Sequence, residues 1–327
     1  MTLRDRLASV LLLAMLAACG GGGSPTDTTL PEPQDLCVDT GCGRLETLLR
    51  IPDAENLLFS DNGRLFVSGG ENVYEVTRAE SGLIATPLSA SGCNFTGLAI
   101  RAETLYAACF DGQLYAAPLT AVAQLTAITP LGIAAPNGMA VGPDDALYII
   151  NGPVATTALP DPKILRVALA PGSPLQATDV SVWLEGGMLA PNGLQADGDQ
   201  FYFSESGLPD IARVRRLTWT AEGPGPIETV ASFIGVPDDF SLLPSADGPY
   251  LLVPDFGLGG LRLFAPDGDP RAALPPLTLR FPSQARRGQP PLFSSDEILI
   301  TEKGVLGDTV SPIGNRLSVF RRAPVTD

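Results

Sequence analysis

The sequence predicts an all-β chain built as a six-bladed β-propeller, closed by an N-terminal strand that joins the last blade. Three observations carry this: a phrase repeated at near-constant spacing, a composition rich in turn formers and poor in charge, and short apolar runs with no long helical period. The phrase is clearest at residues 135–151, APNGMAVGPDDALYIIN, and at 190–206, APNGLQADGDQFYFSES. Each copy has a polar start, an apolar run, a turn and an apolar-aromatic run. Weaker copies are AENLLFSDNGRLFVSGG (54–70), CNFTGLAIRAETLYAACFDG (93–112), PDDFSLLPSADGPYLLVPDF (237–256) and a degenerate PSQARRGQPPLFSSDEILITEKG (282–304). Taking Glu55, Asn94, Asn137, Asn192, Asp238 and Ser283 as equivalent starts, the intervals are 39, 43, 55, 46 and 45 residues. Intervals near 45 suit one four-stranded blade. Intervening segments such as ENVYEVTR, KILRVALA and GGLRLFAP supply outer strands. RLETLLRI, from Arg44 to Ile51, supplies the strand that closes the last blade, so the propeller is placed at residues 44–325.

The composition agrees. Glycine (35) and proline (31) are abundant, charged residues make up 17%, and the 45% hydrophobic fraction excludes a disordered chain. A formal charge of −15 and a pI near 4.4 set the chain against polyanions, which excludes nucleic acid as a partner and favours cations. There is no histidine, which excludes an imidazole base, a histidine zinc ligand and a Ser-His-Asp triad.

The first residues, MTLRDRLASVLLLAMLAACGGGGS, read as a signal segment over 1–18: Arg4 and Arg6 are followed by an apolar core too short to span a bilayer. Leu16-Ala17-Ala18-Cys19 resembles a bacterial lipobox. That resemblance implies lipidation of Cys19, an anchor in the bacterial membrane, and a location at the periplasmic face of the outer membrane or the cell surface. Residues 19–43 are read as the flexible tether. The four remaining cysteines are expected to pair as Cys37–Cys42 and Cys93–Cys109, the second pair flanking one hairpin.

In a propeller the innermost strand of each blade lines a central channel, and the next strand returns to the same face. Two sets of side chains therefore share one rim. At the strand starts stand Glu55, Asn94, Asn137, Asn192, Asp238 and Asp239; at the strand ends stand Asp111, Asn151, Glu205, Asp255 and Glu302. Carboxylates crowded around a narrow channel repel unless a cation relieves them, and a donor set of oxygens alone suits Ca²⁺ or another hard divalent ion. Glu55, Asn137, Asn192 and Asp238 are the expected ligands. The competing reading of each Asn is a turn former that caps backbone groups.

These strand starts, each followed by a D-G/N-L-Y-like turn, resemble the calcium-dependent propellers of the gluconolactonase, senescence-marker-protein and paraoxonase superfamily, with strictosidine-synthase-like relatives. The resemblance spans Glu55 to Lys303 and implies an ion on Glu55, Asn137, Asn192 and Asp238. The chain lacks the histidines that paraoxonases place near the metal, and Asn137-Gly138 replaces the Asn-Asp-Gly of true gluconolactonases. The expected function is a calcium-dependent hydrolase of small lactones or related esters. Asp238 or Asp239 would draw a proton from water, and Asn94, Asn151, Glu205 and Asp255 would contact substrate. The alternative is a non-catalytic, lipid-anchored binding propeller with structural calcium. A third option is strictosidine-synthase-like chemistry with Glu205 or Glu302 as the acid. A monomer is expected. Trp183 and Trp219 read as blade packing, Arg286-Arg287 as a solvated loop pair, and Glu302-Lys303 as an ion pair.

Overall fold

Six antiparallel sheets follow one another along the chain, and in five of them the first strand is the opening run of one phrase copy. Blade 1 is Ala54–Phe59, Leu65–Gly69, Asn72–Ala79 and Gly82–Pro87; blade 2 is Phe95–Arg101, Thr104–Cys109, Gln113–Pro118 and Thr126–Pro130. Blade 3 is Pro136–Val141, Leu147–Asn151, Lys163–Ala170 and Ser173–Glu185; blade 4 is Pro191–Asp197, Gln200–Gly207, Ile211–Thr220 and Glu228–Ile234, with Gly223–Pro224 on its outer edge. In blade 5 the phrase start at Pro237 makes only a bridge, and the strands are Ser241–Leu243, Tyr250–Asp255, Gly260–Phe264 and Pro270–Leu274. Blade 6 is Pro282–Arg287, Ile298–Gly304 and Gly314–Arg322, and Gly43–Arg50 pairs antiparallel with the last of these. The result is a six-bladed β-propeller. The computed structural model describes residues 31–89, 92–120, 122–153, 159–207 and 211–323. The chain divides into two units, Met1–Leu30 and Pro31–Asp327, and all described residues belong to the second. The signal segment and Cys19 lie outside the described residues.

The apolar runs are continuous in the second strand of each blade because both faces of a blade are covered. In blade 1, Leu65 and Val67 pack toward blade 6 while Phe66 between them packs toward blade 2. The hydrophobic core accordingly divides into six clusters, one at each junction between neighbouring blades. Trp183 and Trp219 belong to the junction of blades 3 and 4, where the Trp219 indole donates to the Tyr148 hydroxyl at 2.6 Å.

Every innermost strand carries one extra residue at its start. Ala54 pairs with Gly69, but Leu57 pairs with Val67; the same slip follows Phe95, Pro136, Pro191 and Pro282, and in blade 5 it separates the Pro237–Asp255 bridge from Ser241–Leu252. These are β-bulges, which free two successive residues from the ladder. The register makes Glu55, Thr96, Asn137, Asn192, Asp238 and Ser283 equivalent, so Asn94 stands two residues too early to belong to that ring. Glu55 to Thr96 and Thr96 to Asn137 then span 41 residues each.

The bulges are tied together by hydroxyl groups. Asn56 N–H donates to Ser68 Oγ at 3.0 Å, and Ser68 Oγ donates to the Thr96 carbonyl of the next blade at 2.6 Å. Gly193 N–H, Ser204 Oγ and the Asp238 carbonyl repeat the relay at 2.8 and 2.5 Å. Gln284 N–H, Thr301 Oγ1 and the Glu55 carbonyl repeat it across the closure from blade 6 to blade 1.

Residues 31–43, read as tether, are corrected in part. Leu36, Cys37 and Val38 are buried in the junction of blades 5 and 6, and Cys37 is bonded to Cys42 across 5.8 Å between Cα atoms. The apolar run LCV gives that segment surface to bury, which a free tether lacks. Cys93 is bonded to Cys109, Cα atoms 6.1 Å apart, beside the first pair of the blade 2 hairpin.

The glycine of Pro-Asn-Gly answers to packing. A Cβ on Gly138 would lie on the backbone nitrogen of Leu194 and the carbonyl carbon of Gly193, and one on Gly193 would strike Asp239. Backbone cannot swing aside as a side chain can, so Gly138→Ala is expected to destabilise the fold by about 3 kcal/mol. Urea denaturation reads this as a lower midpoint; an unchanged midpoint would contradict the close approach of blades 3 and 4.

Candidate functional site

The first bulge residue of each blade stands at the same place in its innermost strand, and the six side chains differ in kind: two acids, two amides and two hydroxyls. Glu55, Asn137, Asp238 and Ser283 are buried, and Asn192 is half-buried. The Oδ1 atoms of Asn137 and Asn192 have no hydrogen-bond partner, nor does that of Asn94 just outside the ring. Buried amide oxygens are ordinarily satisfied, so three orphans beside two buried carboxylates describe a place short of positive charge. Ser283 faces both carboxylates and lowers the pKa of each, although its Oγ makes no hydrogen bond of good geometry.

Charge tells the same story. Burial raises the Glu55 carboxyl above its ordinary range, against the pull of Lys303. Asp238 is raised well above its range by burial and then by the Glu55 charge. Lys303, at the end of the second strand of blade 6, contacts the Glu55 carboxylate directly and reaches Asp53 Oδ2 at 3.2 Å. Burial disfavours its ammonium, but the two carboxylates outweigh that and its pKa is raised. Three carboxyl groups, those of Asp53, Glu55 and Asp238, thus interact with one ammonium. A hard divalent ion fits this donor set of carboxylate and amide oxygens.

Below this ring lies a second tier, formed by the next bulge residues. Asp239 is its centre. Its Oδ2 accepts from Asn56 Nδ2 (2.6 Å) and Gln284 Nε2 (3.0 Å), and its Oδ1 from Phe240 N–H (2.7 Å) and Gln195 Nε2 (3.1 Å). Burial pushes its pKa up to about 6, opposed by the Arg286 charge and these donors. Both oxygens of Asp239, the second candidate base, are thus taken by donors, and the residue braces blades 1, 4, 5 and 6 at the channel. Arg286 is corrected. It lies in the innermost strand of blade 6, where Nη2 donates to Gln195 Oε1 at 3.1 Å.

The strand-end set clamps loops. Asn151 Oδ1 accepts from Ala135 N–H at 3.0 Å, and Asp255 Oδ1 from Val236 and Leu258 N–H at 3.1 and 3.0 Å. Glu205 accepts from Leu189 N–H at 3.3 Å and pairs with Arg215 and Arg213 at 2.6 and 3.3 Å. Glu302 accepts from Arg280 N–H at 2.6 Å and is held by Arg316 and Ser318. Each thus fixes the loop that leads into its own blade's innermost strand. Asn151 and Glu205 are placed to position the rim, and Asp255 does so through Oδ1 alone, its Oδ2 making no hydrogen bond and lying 3.7 Å from Arg262 Nη2. Glu302 does not pair with Lys303, because neighbours on a strand point to opposite faces. Exposed Asp111 accepts from Gln113 N–H and the Tyr115 hydroxyl, both at 2.8 Å.

A surface cavity of about 370 Å³, lined by Arg101, Asp144, Asp145 and Arg166 among others, lies at the far ends of the blade 2 and 3 inner strands, away from Glu55 and Asp238. Its charges are paired with each other, Arg101 with Asp145 and Arg166 with Asp144.

No family model matches the chain, and no curated protein matches it by sequence. Solved structures do. A gluconolactonase of Xanthomonas campestris superposes with a TM-score of 0.63 at 19% identity, covering 86% of this chain and 90% of the other. The likeness is one of fold. A luciferin-regenerating enzyme follows at 0.60 and 15% identity, with 86% and 96% covered. Virginiamycin B lyase of Staphylococcus aureus gives 0.54 at 11% identity, with 86% and 100% covered. One architecture therefore carries a gluconolactonase in one neighbour and a lyase in another, so the fold by itself assigns no reaction to this chain.

The second tier yields a sharp test. Gln284 Oε1 is pinned by Leu57 N–H at 2.6 Å and Gln195 Oε1 by Arg286, so neither amide can turn around. In Asp239→Asn, whichever way the new amide turns, its NH₂ meets a pinned donor. A loss of about 2–3 kcal/mol of stability is expected in urea denaturation, although the side chains are nearly isosteric; a loss under about 0.5 kcal/mol would refute the four-donor assignment.

Proposed function

We propose that the chain is a Ca²⁺-dependent hydrolase acting on lactones or related esters, with the reaction at the channel mouth. The observation that carries this is the set of unpartnered amide oxygens beside Glu55 and Asp238. Glu55, Asn137, Asn192 and Asp238 would hold the ion, which supplies the positive charge that polarises a carbonyl and stabilises an oxyanion. Asp238, kept basic by burial and by the Glu55 charge, draws a proton from a water at the mouth. Asn94, beside the ring with its Oδ1 unpartnered, orients the substrate. The superposition on a gluconolactonase supports a small-molecule substrate. Lipidation at Cys19 would hold the propeller at a membrane surface.

The loops that lead into Asp238 and Ser283 carry apolar side chains. Val236 stands two residues before Asp238, and Phe281 two before Ser283. Phe256 and Phe281 have ring centroids 5.4 Å apart, Leu277 N–H donates to the Leu258 carbonyl, and Ile234 and Leu277 are 72% and 75% exposed. This surface suits a substrate with a hydrocarbon substituent better than a polyhydroxylated sugar lactone.

A panel of aliphatic lactones, aryl esters and a sugar lactone, assayed with Ca²⁺, tests the proposal. Turnover is expected to favour the aliphatic members, to stop on chelation, and to fall about 10²-fold or more in Asp238→Asn. No turnover anywhere on the panel would reject the hydrolase.

A further inference from the structure

We infer that Lys303 is a resident cation of the cage, sharing Glu55 with the divalent ion and setting that ion's affinity; the inference rests on the ion reading above. Lys303 is only 7% exposed, and both of its carboxylate partners come from the neighbouring blade. The contact is built from each side. Asp53 adopts a left-handed backbone, φ 51°, and its N–H is received by Asn315 Oδ1 of blade 6 at 2.6 Å, which fixes its carboxylate beside the ammonium. Glu302, the residue before Lys303, is locked by Arg316 and Ser318 on the opposite face of the strand.

Lys303 engages one oxygen of each acid, Glu55 Oε2 and Asp53 Oδ2. Asp53 Oδ1 has no partner, and Asn137 Oδ1, 6% exposed by residue, has none either, so oxygens remain for an ion after the lysine has taken its share. Two consequences follow from the sign of the charge alone. Without an ion, the ammonium neutralises acids that would otherwise repel one another across the blade 6–blade 1 closure. With an ion, it is a fixed like charge at short range that lowers affinity. The cage is therefore tuned to bind a divalent ion more weakly than its oxygens would bind it alone, and to remain folded when the ion leaves.

The experiment is calorimetric titration of CaCl₂ into the chelator-stripped full chain, with melting curves before and after addition. Lys303→Met is expected to bind Ca²⁺ at least about tenfold more tightly and, when stripped, to melt about 5 °C lower, with Ca²⁺ restoring the loss. A wild-type protein that binds Ca²⁺ and a variant of equal or weaker affinity would overturn this inference alone. Binding by neither protein would overturn the ion reading and this inference with it. Asp53→Asn keeps a residue that tolerates a positive φ and leaves the ammonium to Glu55 alone. It is expected to weaken Ca²⁺ binding several-fold, and equal or tighter binding would also overturn the inference.

Discussion

One extra residue at the start of each innermost strand is the constraint on which the rest depends. An unbroken ladder would alternate side chains between the two faces of a blade, and only every second residue would reach the channel. The bulge releases two successive residues in each blade, and the hydroxyl relays hold the released backbone in place. Where Ser68, Ser204 and Thr301 accept a bulge N–H and donate to the next blade's bulge carbonyl, they satisfy two buried polar groups at once and fix the spacing between neighbouring blades. The carbonyls so fixed belong to Thr96, Asp238 and Glu55. Two of the three are the acids of the ring, so the device that joins the blades also positions those acids.

The two tiers divide the polar residues by how fully they are satisfied. In the lower tier, Asn56, Gln195, Gln284 and Arg286 engage Asp239 and one another, and the negative charge there is met by donors and a guanidinium. In the upper tier the amides present oxygen, acids face acids, and the one cation among the described residues in direct contact with them is Lys303. A network with every member satisfied rigidifies, whereas one with surplus charge and orphan oxygens calls for a ligand. The lower tier thus braces blades 1, 4, 5 and 6 against the repulsion stored above it.

The fold was legible in the sequence because its signals are local: turn residues, apolar runs and their spacing. The residue types at Glu55, Asn137, Asn192 and Asp238 were legible for the same reason, since each opens a copy of the phrase. Asn94 was misaligned because its phrase lacks a proline, and the register shows Thr96 in the ring. Lys303 was assigned to Glu302, although strand alternation alone argues that adjacent residues cannot share a face. The strand-end acids looked like rim groups because they reach the right face; that they turn toward Ala135, Leu189, Val236 and Arg280 N–H depends on loops whose paths no periodicity encodes. Gln195, Gln284 and Arg286 were invisible for a different reason: they matter only through contacts between strands 44 to 91 residues apart.

Asp238 and Asp239 show most directly why residue type underdetermines role. They are adjacent, both acidic, both buried, and both raised in pKa chiefly by burial. Asp239 sits where three other blades and its own backbone send it donors, so its lone pairs are occupied and the donors offset part of the cost of burying its charge. Asp238 sits one step higher, where its charged neighbours Glu55 and Lys303 have opposite sign and the adjacent Asn137 and Asn192 oxygens offer it no proton. Removing the donors from Asp239 would leave an uncompensated buried charge, whereas Asp238 already occupies that condition and needs a cation or a proton to leave it. The bulge supplies both positions from two successive residues of one phrase, and the neighbouring blades decide which becomes a brace and which is left facing the Glu55 charge.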